Sequence, residues 1–291
     1  MLNFLIIGDW GRKGTPGQCA VAHGMARIAE QLESRFVVTT GDNFYDHGVS
    51  SLHDAHWRES FEDIYTAPAL HIPWYVVLGN HDYHGCIQAQ IDYGASNSRW
   101  RLPARYHAVE QVIDATATAL LVFLDTSPFV DRYRTEGSAE YMEHLRVQDV
   151  ELQLAWLQAT LAASKARCKL VFGHHPIYSG SPFHGDTLEL QERLLPLLQA
   201  HRVQAYICGH EHDLQHLVAD GIDYIVCGVG AEWRETGWRD NSRCSVSTLG
   251  FSAVSLTANR LHIEFYNAQG QRLYDTAKRL YARPETAVLI S

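Results

Sequence analysis

The stretch Phe36-Val37-Val38-Thr39-Thr40-Gly41-Asp42-Asn43-Phe44-Tyr45 leads an apolar run into a Gly-led turn that carries an aspartate. Comparable runs lead into Gly8-Asp9 and Gly79-Asn80, and apolar residues at helical spacing lie between the first two runs. Strands that alternate with helices indicate a largely parallel or mixed sheet. We therefore predict strands at Phe4–Ile7, Phe36–Thr40 and Trp74–Leu78, each followed by one of these turns.

The second half of the chain repeats this pattern. Apolar runs at Lys169–Phe172 and Ala205–Cys208 lead into Gly173-His174 and Gly209-His210. We predict further strands at Ala119–Leu124, Tyr224–Val229, Gly250–Leu256 and Arg260–Tyr266, the last three antiparallel, and helices at Gln153–Ala163 and Leu188–Leu198. Two long stretches, Gly94–Ala108 and Thr126–Val147, are predicted to be irregular loops. No repeat or flexible linker divides the sequence, so we predict a single domain over residues 1–291.

Composition excludes several classes of protein. The 291 residues carry a formal net charge of −9 and no basic stripe, which argues against a nucleic-acid partner. No run of 18 apolar residues occurs, so no membrane-spanning helix is expected. The N-terminus has no basic segment before its apolar run, and no glycosylation sequon occurs, so we expect a cytoplasmic location. The six cysteines form no Cys-x-x-Cys pair and are expected to be free thiols.

The Gly-led turns carry side chains that bind metal ions. An aspartate in a turn is commonly a backbone cap, and a single buried histidine is commonly a core residue. Several of both kinds at strand ends favour a metal site instead, because ligands collect at the carboxyl ends of strands. Oxygen and imidazole ligands without thiolate suit Fe, Mn or Zn, and they are too many for one tetrahedral zinc. We therefore predict a two-metal site from Asp9, Asp42, Asn80, His174, His210 and His212.

With these motifs the chain resembles the calcineurin-like metallophosphoesterases, and more narrowly the small tartrate-resistant purple acid phosphatases. In most of that superfamily a histidine follows two residues after the first aspartate. Here Trp10-Gly11 follows Asp9, and Tyr45 is available to replace the histidine. The resemblance extends through Ile72–Arg101, Leu154–Pro176 and Ala205–Gly230. It implies an α/β (α+β) fold, a four-layer αββα sandwich of two mixed sheets flanked by helices.

The resemblance also implies roles for individual residues. One ion, typically Fe(III), would be held by Asp9, Asp42, Tyr45 and His212. The second ion, Fe, Zn or Mn, would be held by the bridging Asp42 together with Asn80, His174 and His210. His81 and His184 would bind the substrate phosphate and help the leaving group depart, and Asp82 is expected to orient His81. His175 is expected to be a passive neighbour.

The expected reaction is hydrolysis of a small phosphomonoester by attack of a metal-bound hydroxide, as in an acid phosphatase. A phosphodiesterase or nucleotide hydrolase acting through the same metals stays open, because fold and metal site do not fix the substrate. A catalytically inactive scaffold on this fold is a third hypothesis. The sequence leaves the oligomeric state and the role of residues 126–147 open.

Overall fold

The structure is a computed structural model that describes residues 1–281; residues 282–291, which the predicted domain includes, lie outside the described part. The strands are β1 (Leu2–Ile7), β2 (Val37–Thr39), β3 (Trp74–Tyr75), β4 (Trp100–Arg101), β5 (His107–Asp114), β6 (Ala117–Phe123), β7 (Cys168–Phe172), β8 (Ala205–Cys208), β9 (Leu214–Ala219), β10 (Ile222–Cys227), β11 (Ser242–Val246), β12 (Gly250–Thr257), β13 (Arg260–Asn267) and β14 (Arg272–Arg279). The α-helices are α1 (Pro16–Leu32), α2 (Ile87–Ser96), α3 (Ala139–Arg146), α4 (Val150–Ala163), α5 (Leu188–Arg193) and α6 (Leu195–Ala200).

The strands form two sheets of seven. The first has the order β14-β13-β12-β1-β2-β3-β4, and the second has the order β11-β9-β10-β8-β7-β6-β5. Strands β1 to β4 are parallel, whereas β1 pairs with β12 antiparallel. In the second sheet β6, β7, β8 and β10 are parallel, and β5, β9 and β11 are antiparallel to their neighbours. Both sheets are therefore mixed.

Three apolar clusters separate the layers of the molecule. The central cluster includes Phe4 and Ile6 from the first sheet and Phe172 from the second. Leu5 and Ile7, on the other face of β1, pack in a second cluster with residues of α1. A third cluster joins the outer face of the second sheet to α4, α5 and α6. Since β1 is covered on both faces, all of its residues are buried, which explains its continuous apolar run. The predicted four-layer αββα fold is confirmed.

Several predicted elements differ from the structure. The single helix expected over Leu188–Leu198 is interrupted at Leu194, and α6 begins with Pro196 in its first turn. Proline lacks the N–H that would continue the hydrogen-bond ladder of α5. The stretch Thr126–Val147 is not wholly irregular, because it contains α3. The Ser138 side chain accepts a hydrogen bond from the backbone N–H of Tyr141 and caps this helix.

Strands β4, β5, β9, β11 and β14 were missed from the sequence, and β4 lies inside the stretch Gly94–Ala108 that was predicted to be irregular. The residues of β14 are alternately exposed and half-buried at the edge of the first sheet, and include Arg272, Lys278 and Arg279. Charged residues are typical of sheet edges and conceal the apolar pattern of a strand. The prediction that the run beginning at Tyr224 is antiparallel was partly wrong. Strand β10 is antiparallel to β9 but parallel to β8.

The structure also describes the cysteines and the helices, about which the composition gave expectations. All six cysteines are free, as expected. Among residues 1–281, no helix has the length and apolar character needed to cross a membrane.

Candidate metal centre

Strand ends from both sheets meet at one place. Asp9 and Asp42 follow the parallel strands β1 and β2, and His174 and His210 follow the parallel strands β7 and β8. The backbone of Asp9, Asp42 and His210 is left-handed, with φ of 57°, 49° and 68°. Such a conformation is uncommon for residues other than glycine and is concentrated at functional sites. The sharp turns aim side chains from both sheets into a shared cluster.

The first group of side chains surrounds the phenol of Tyr45. Its oxygen lies 2.9 Å from Oδ1 of Asp9, 2.9 Å from Oδ2 of Asp42 and 3.2 Å from Nε2 of His212. Nε2 of His212 is also 3.4 Å from Oδ1 of Asp9. A phenol has one proton and can donate it to only one of the two carboxylates at a time, so lone pairs on oxygen face one another. These are the residues predicted to hold the first ion.

The second group of side chains surrounds Nε2 of His174. This atom lies 3.1 Å from Oδ1 of Asn80, 3.2 Å from Nδ1 of His210 and 3.4 Å from Oδ2 of Asp42. The other ring nitrogen, Nδ1, lies 2.8 Å from the carbonyl oxygen of Thr40 and donates a proton to it. That hydrogen bond leaves the lone pair of the neutral imidazole on Nε2, as is usual for a metal-binding histidine.

Charge in the second group favours a cation. Burial opposes ionisation of Asp42, but the charges of His174 and His81 outweigh it and hold the pKa of Asp42 well below its usual range. Burial also opposes protonation of His174, but Asp42 outweighs it and raises the pKa of His174 to about 9. The residues therefore stabilise a positive charge beside Nε2 of His174, which a metal ion would supply in place of a proton. The donor set fits a pair of cations that share Asp42.

The phenol of Tyr45 is held in its protonated form by its surroundings. Burial, and then the charges of Asp42 and Asp9, raise its pKa well above the usual value. A phenolate between two carboxylates is favourable only beside an ion of high positive charge. The surroundings of Tyr45 therefore keep the phenol protonated unless a cation lies beside its oxygen.

Glycines make room for ligands that come from other turns. A Cβ atom on Gly79 would lie 2.1 Å from Oδ1 of Asp42, and one on Gly41 would lie 2.5 Å from Nδ1 of His174. Contacts this short do not occur between real atoms, so any side chain at either position would displace a ligand. The glycines that indicated turns in the sequence are therefore also needed for packing, because the site has no room for a side chain at these positions.

The two predicted catalytic histidines lie on the rim of the cluster. Nδ1 of His81 lies 2.7 Å from the carbonyl oxygen of Asp46, and Nε2 of His81 lies 4.0 Å from Oδ2 of Asp42. The ring of His184 lies against the ring of His210, with centroids 4.2 Å apart. Burial, opposed in part by Glu211, lowers the pKa of His184. Both histidines therefore lie beside the two groups: His81 is close to Asp42, and His184 packs against His210.

The expected role of Asp82 was wrong. Its carboxylate accepts hydrogen bonds from the backbone N–H and side-chain amide of Asn43, from the N–H of Gly79 and from the side chain of Gln90. It does not orient His81, whose Nδ1 faces Asp46 instead. Asp82 thus joins the turn that carries Asp42 to the turn that carries Asn80. Sequence reasoning missed Asn43 as its partner, although both residues stand inside the motifs.

Two further supports come from buried residues. Oε1 of Glu211, between the two histidines of the last motif, accepts the backbone N–H groups of His184 and Gly185 at 3.0 Å and 2.8 Å. His175 is buried, and its ring nitrogens contact the hydroxyls of Thr126 and Tyr133 at 2.9 Å and 3.2 Å. Neither contact has a signal in the sequence, because each joins segments that are far apart along the chain.

The chain is similar to known proteins over most of its length. The family model described as calcineurin-like phosphoesterase matches residues 2–214. Purple acid phosphatase 3 of Arabidopsis thaliana is 38% identical over an alignment of 290 positions that covers 95% of this chain and 77% of that protein. Tartrate-resistant acid phosphatase type 5 of Sus scrofa is 33% identical over an alignment of 305 positions that covers 98% of this chain and 89% of that protein.

A solved structure is similar over nearly the whole chain. GAP50, the anchor in the inner membrane complex of Plasmodium, superposes with a TM-score of 0.84 at 25% identity. The match covers 96% of this chain and 89% of that one.

The chain belongs to the calcineurin-like phosphoesterase family, whose model matches it from β1 to the first residue of β9. Within it, the chain groups with the purple acid phosphatases, to which it is 33–39% identical over most of its length. The predicted resemblance and the predicted class of metal-dependent phosphoric monoester hydrolase are thereby confirmed.

Replacing Gly79 by alanine tests the packing of the site. The added Cβ would overlap Oδ1 of Asp42, so we expect G79A to lose bound metal and at least about 10²-fold of its phosphatase activity, roughly 2.7 kcal/mol. G221A is the control: alanine is strained at the φ of 77° of Gly221, but its Cβ meets no atom within 4 Å, so this variant should lose stability without displacing a ligand. Metal analysis of both purified variants decides the matter. Normal metal content in G79A would contradict the packing described here.

Proposed function

We propose that the two groups of side chains hold two metal ions and that the chain hydrolyses phosphomonoesters between them. The observation that carries this proposal is the convergence of lone pairs on two points that share one carboxylate, Oδ2 of Asp42. Asp9, Asp42, Tyr45 and His212 would bind the first ion. Asp42, Asn80, His174 and His210 would bind the second ion.

The proposed metals follow from the ligands. The phenol of Tyr45 beside two carboxylates suits Fe(III), and the neutral amide and imidazoles of the second group suit Fe, Zn or Mn. Two such ions would neutralise the charge of a phosphate group and make a nucleophilic oxygen available at acidic pH. The surrounding protein orients these ligands: Thr40 fixes the ring of His174, and Asp82 fixes the turns of Asp42 and Asn80.

His81 is the proposed proton donor to the leaving group. Its Nδ1 donates to the carbonyl oxygen of Asp46, so its Nε2 is the nitrogen directed at the site, and the side chain is 33% exposed at the rim. A positioned imidazolium can stabilise the charge that develops on the departing oxygen and then transfer its proton. His184 is a poorer donor, because Arg234 directs an N–H of its guanidinium at Nε2 of His184.

The proposed substrate is a small phosphate ester and not a nucleic acid. The chain has a formal net charge of −9, so long-range attraction of a polyanion is absent and phosphate must be bound locally by the ions.

We also propose a cytoplasmic location, which the six free cysteines support, since thiols persist in reducing compartments. Cell fractionation with a tagged chain tests the location, and recovery from an oxidising compartment would contradict it.

A non-catalytic scaffold is the second candidate, because the similar Plasmodium protein is described as an anchor. Scaffolds that share an enzyme's fold lack part of its site. In this chain every predicted ligand side chain lies in one of the two groups. This completeness favours the enzyme.

Asp42→Ala tests the proposed function. Removal of the shared carboxylate should release both ions and lower kcat/KM for an aryl phosphate by at least about 10³-fold, roughly 4 kcal/mol. The exposed Asp92→Ala is the matched control and should keep both metal content and rate. Full activity with normal metal content in D42A would refute the proposed centre. An unaltered protein that binds no metal and turns over neither monoester nor diester would be a scaffold.

Tyr45→Phe tests the identity of the first ion. A phenolate bound to Fe(III) gives a broad visible charge-transfer band, so the unaltered protein should be purple and Y45F colourless or strongly bleached. Visible spectra of both proteins, with iron and zinc analysis, check this. A colourless unaltered protein that contains Mn or Zn would contradict the iron assignment while leaving the hydrolase proposal intact.

His81→Asn tests the proposed proton donor. We expect kcat to fall about 10²-fold with an alkyl phosphate, whose departing oxygen needs a proton, and much less with nitrophenyl phosphate. The exposed His53→Asn is the control. Equal losses with both substrates would show that His81 does not supply the proton.

A further inference from the structure

The loop that carries His184 is fixed to the metal-binding turn behind it. The backbone N–H groups of His184 and Gly185 both donate to Oε1 of Glu211, a fully buried residue between His210 and His212. The ring of His184 lies against that of His210. The position of this loop relative to the two groups of ligands is therefore set by the ligand turn itself.

Arg234 is held on the same rim by three contacts. Its backbone N–H donates to the carbonyl oxygen of His212 at 2.7 Å. Its guanidinium lies over the ring of Phe183, 4.8 Å from the centroid, and Nη1 lies 3.4 Å from Nε2 of His184. The side chain is half-buried. Backbone and side-chain contacts together position the charged head beside the proposed active site.

The charge of Arg234 has no carboxylate partner in the described part of the chain. Within residues 1–281 no carboxylate oxygen lies within 4.0 Å of its guanidinium, whereas Arg12 contacts Asp46 and Glu232, and Arg239 contacts Asp186. An arginine that is fixed in place, unpaired and directed at the rim of a phosphate-hydrolysing site has the chemistry of an anion receptor. Its planar fork can bind two oxygens of a phosphate group at once.

We propose that Arg234 binds a second phosphate group, on the leaving side of the substrate, and thereby favours diphosphates over simple monoesters. This inference rests on the proposed function. Contacts lead outward from the ligand His210 through His184 to Arg234, so the guanidinium lies on the rim, outside the two groups of ligands. In a diphosphate the second phosphorus is joined to the first through one bridging oxygen, and it would meet Arg234.

The reaction of such a substrate is a simple hydrolysis. The oxygen of one water forms a bond to the terminal phosphorus, and the bond from that phosphorus to the bridging oxygen breaks. The electron pair of the broken bond stays on the bridging oxygen, which leaves as part of the second phosphate. One proton of the water is taken up by the leaving phosphate or the solvent, and the other by the phosphate formed. Arg234 would neutralise charge on the leaving phosphate.

Binding and turnover of matched ligands test this inference. We would measure the Kd of the metal-loaded protein for imidodiphosphate, which cannot be hydrolysed at a bridging oxygen, and for orthophosphate, by calorimetry. R234M should raise the Kd for imidodiphosphate about 10- to 100-fold and the Kd for orthophosphate less than about 3-fold. The Kd of R234K for imidodiphosphate should lie between those of R234M and the unaltered protein, because lysine keeps the charge but lacks the two parallel N–H donors of arginine. R243M, an exposed arginine on β11, is the control and should match the unaltered protein.

Turnover should show the same selectivity. In R234M, kcat/KM for pyrophosphate should fall about 10- to 100-fold, and kcat/KM for phenyl phosphate should change less than about 3-fold. Equal losses with both ligands and both substrates, or no loss with any, would overturn the assignment of Arg234 alone. Failure of the unaltered, metal-loaded protein to hydrolyse phenyl phosphate would instead refute the proposed function.

Discussion

The carboxylate of Asp42 is the constraint on which the rest of the structure depends. It is 2% exposed, it contacts the phenol of Tyr45 and the ring of His174, and its own backbone is left-handed. A buried carboxylate in this position is stable only among positive charges. The two sheets must therefore bring their strand ends together here, because the side chains that share the charge of Asp42 come from both sheets.

The network behind the ligands explains how short, strained turns keep their geometry. Asp82 accepts hydrogen bonds from both neighbouring turns, and Asn43 passes the connection on to Thr39 and Trp10. Trp10 is buried among aromatic rings that include Phe44 and Trp74. Ligand positions are thus coupled to a rigid aromatic core rather than to solvent-exposed loops, as a site that must hold its geometry during catalysis requires.

The parts of the molecule that could be predicted from the sequence are those whose cause is local. Apolar runs that end in Gly-led turns identified β1, β2, β7 and β8, because a strand buried on both faces has a continuous apolar sequence. The side chains that meet in the two groups were also predicted, since each turn carries its own ligand. The role of Asp82, the support from Glu211 and the position of Arg234 could not be predicted. Each depends on a contact between turns whose relative placement only the packed sheets determine.

The close approach of glycines to ligands has an evolutionary consequence. Gly79 makes room for Asp42, and Gly41 makes room for His174, so the fitness of a residue in one turn depends on the residue present in another. A substitution that would be neutral in an isolated motif becomes harmful when the side chain it meets belongs to a distant motif. The effects of substitutions in different turns therefore depend on one another. One substitution at such a glycine can destroy the site, whereas restoring the site would need compatible residues in several turns.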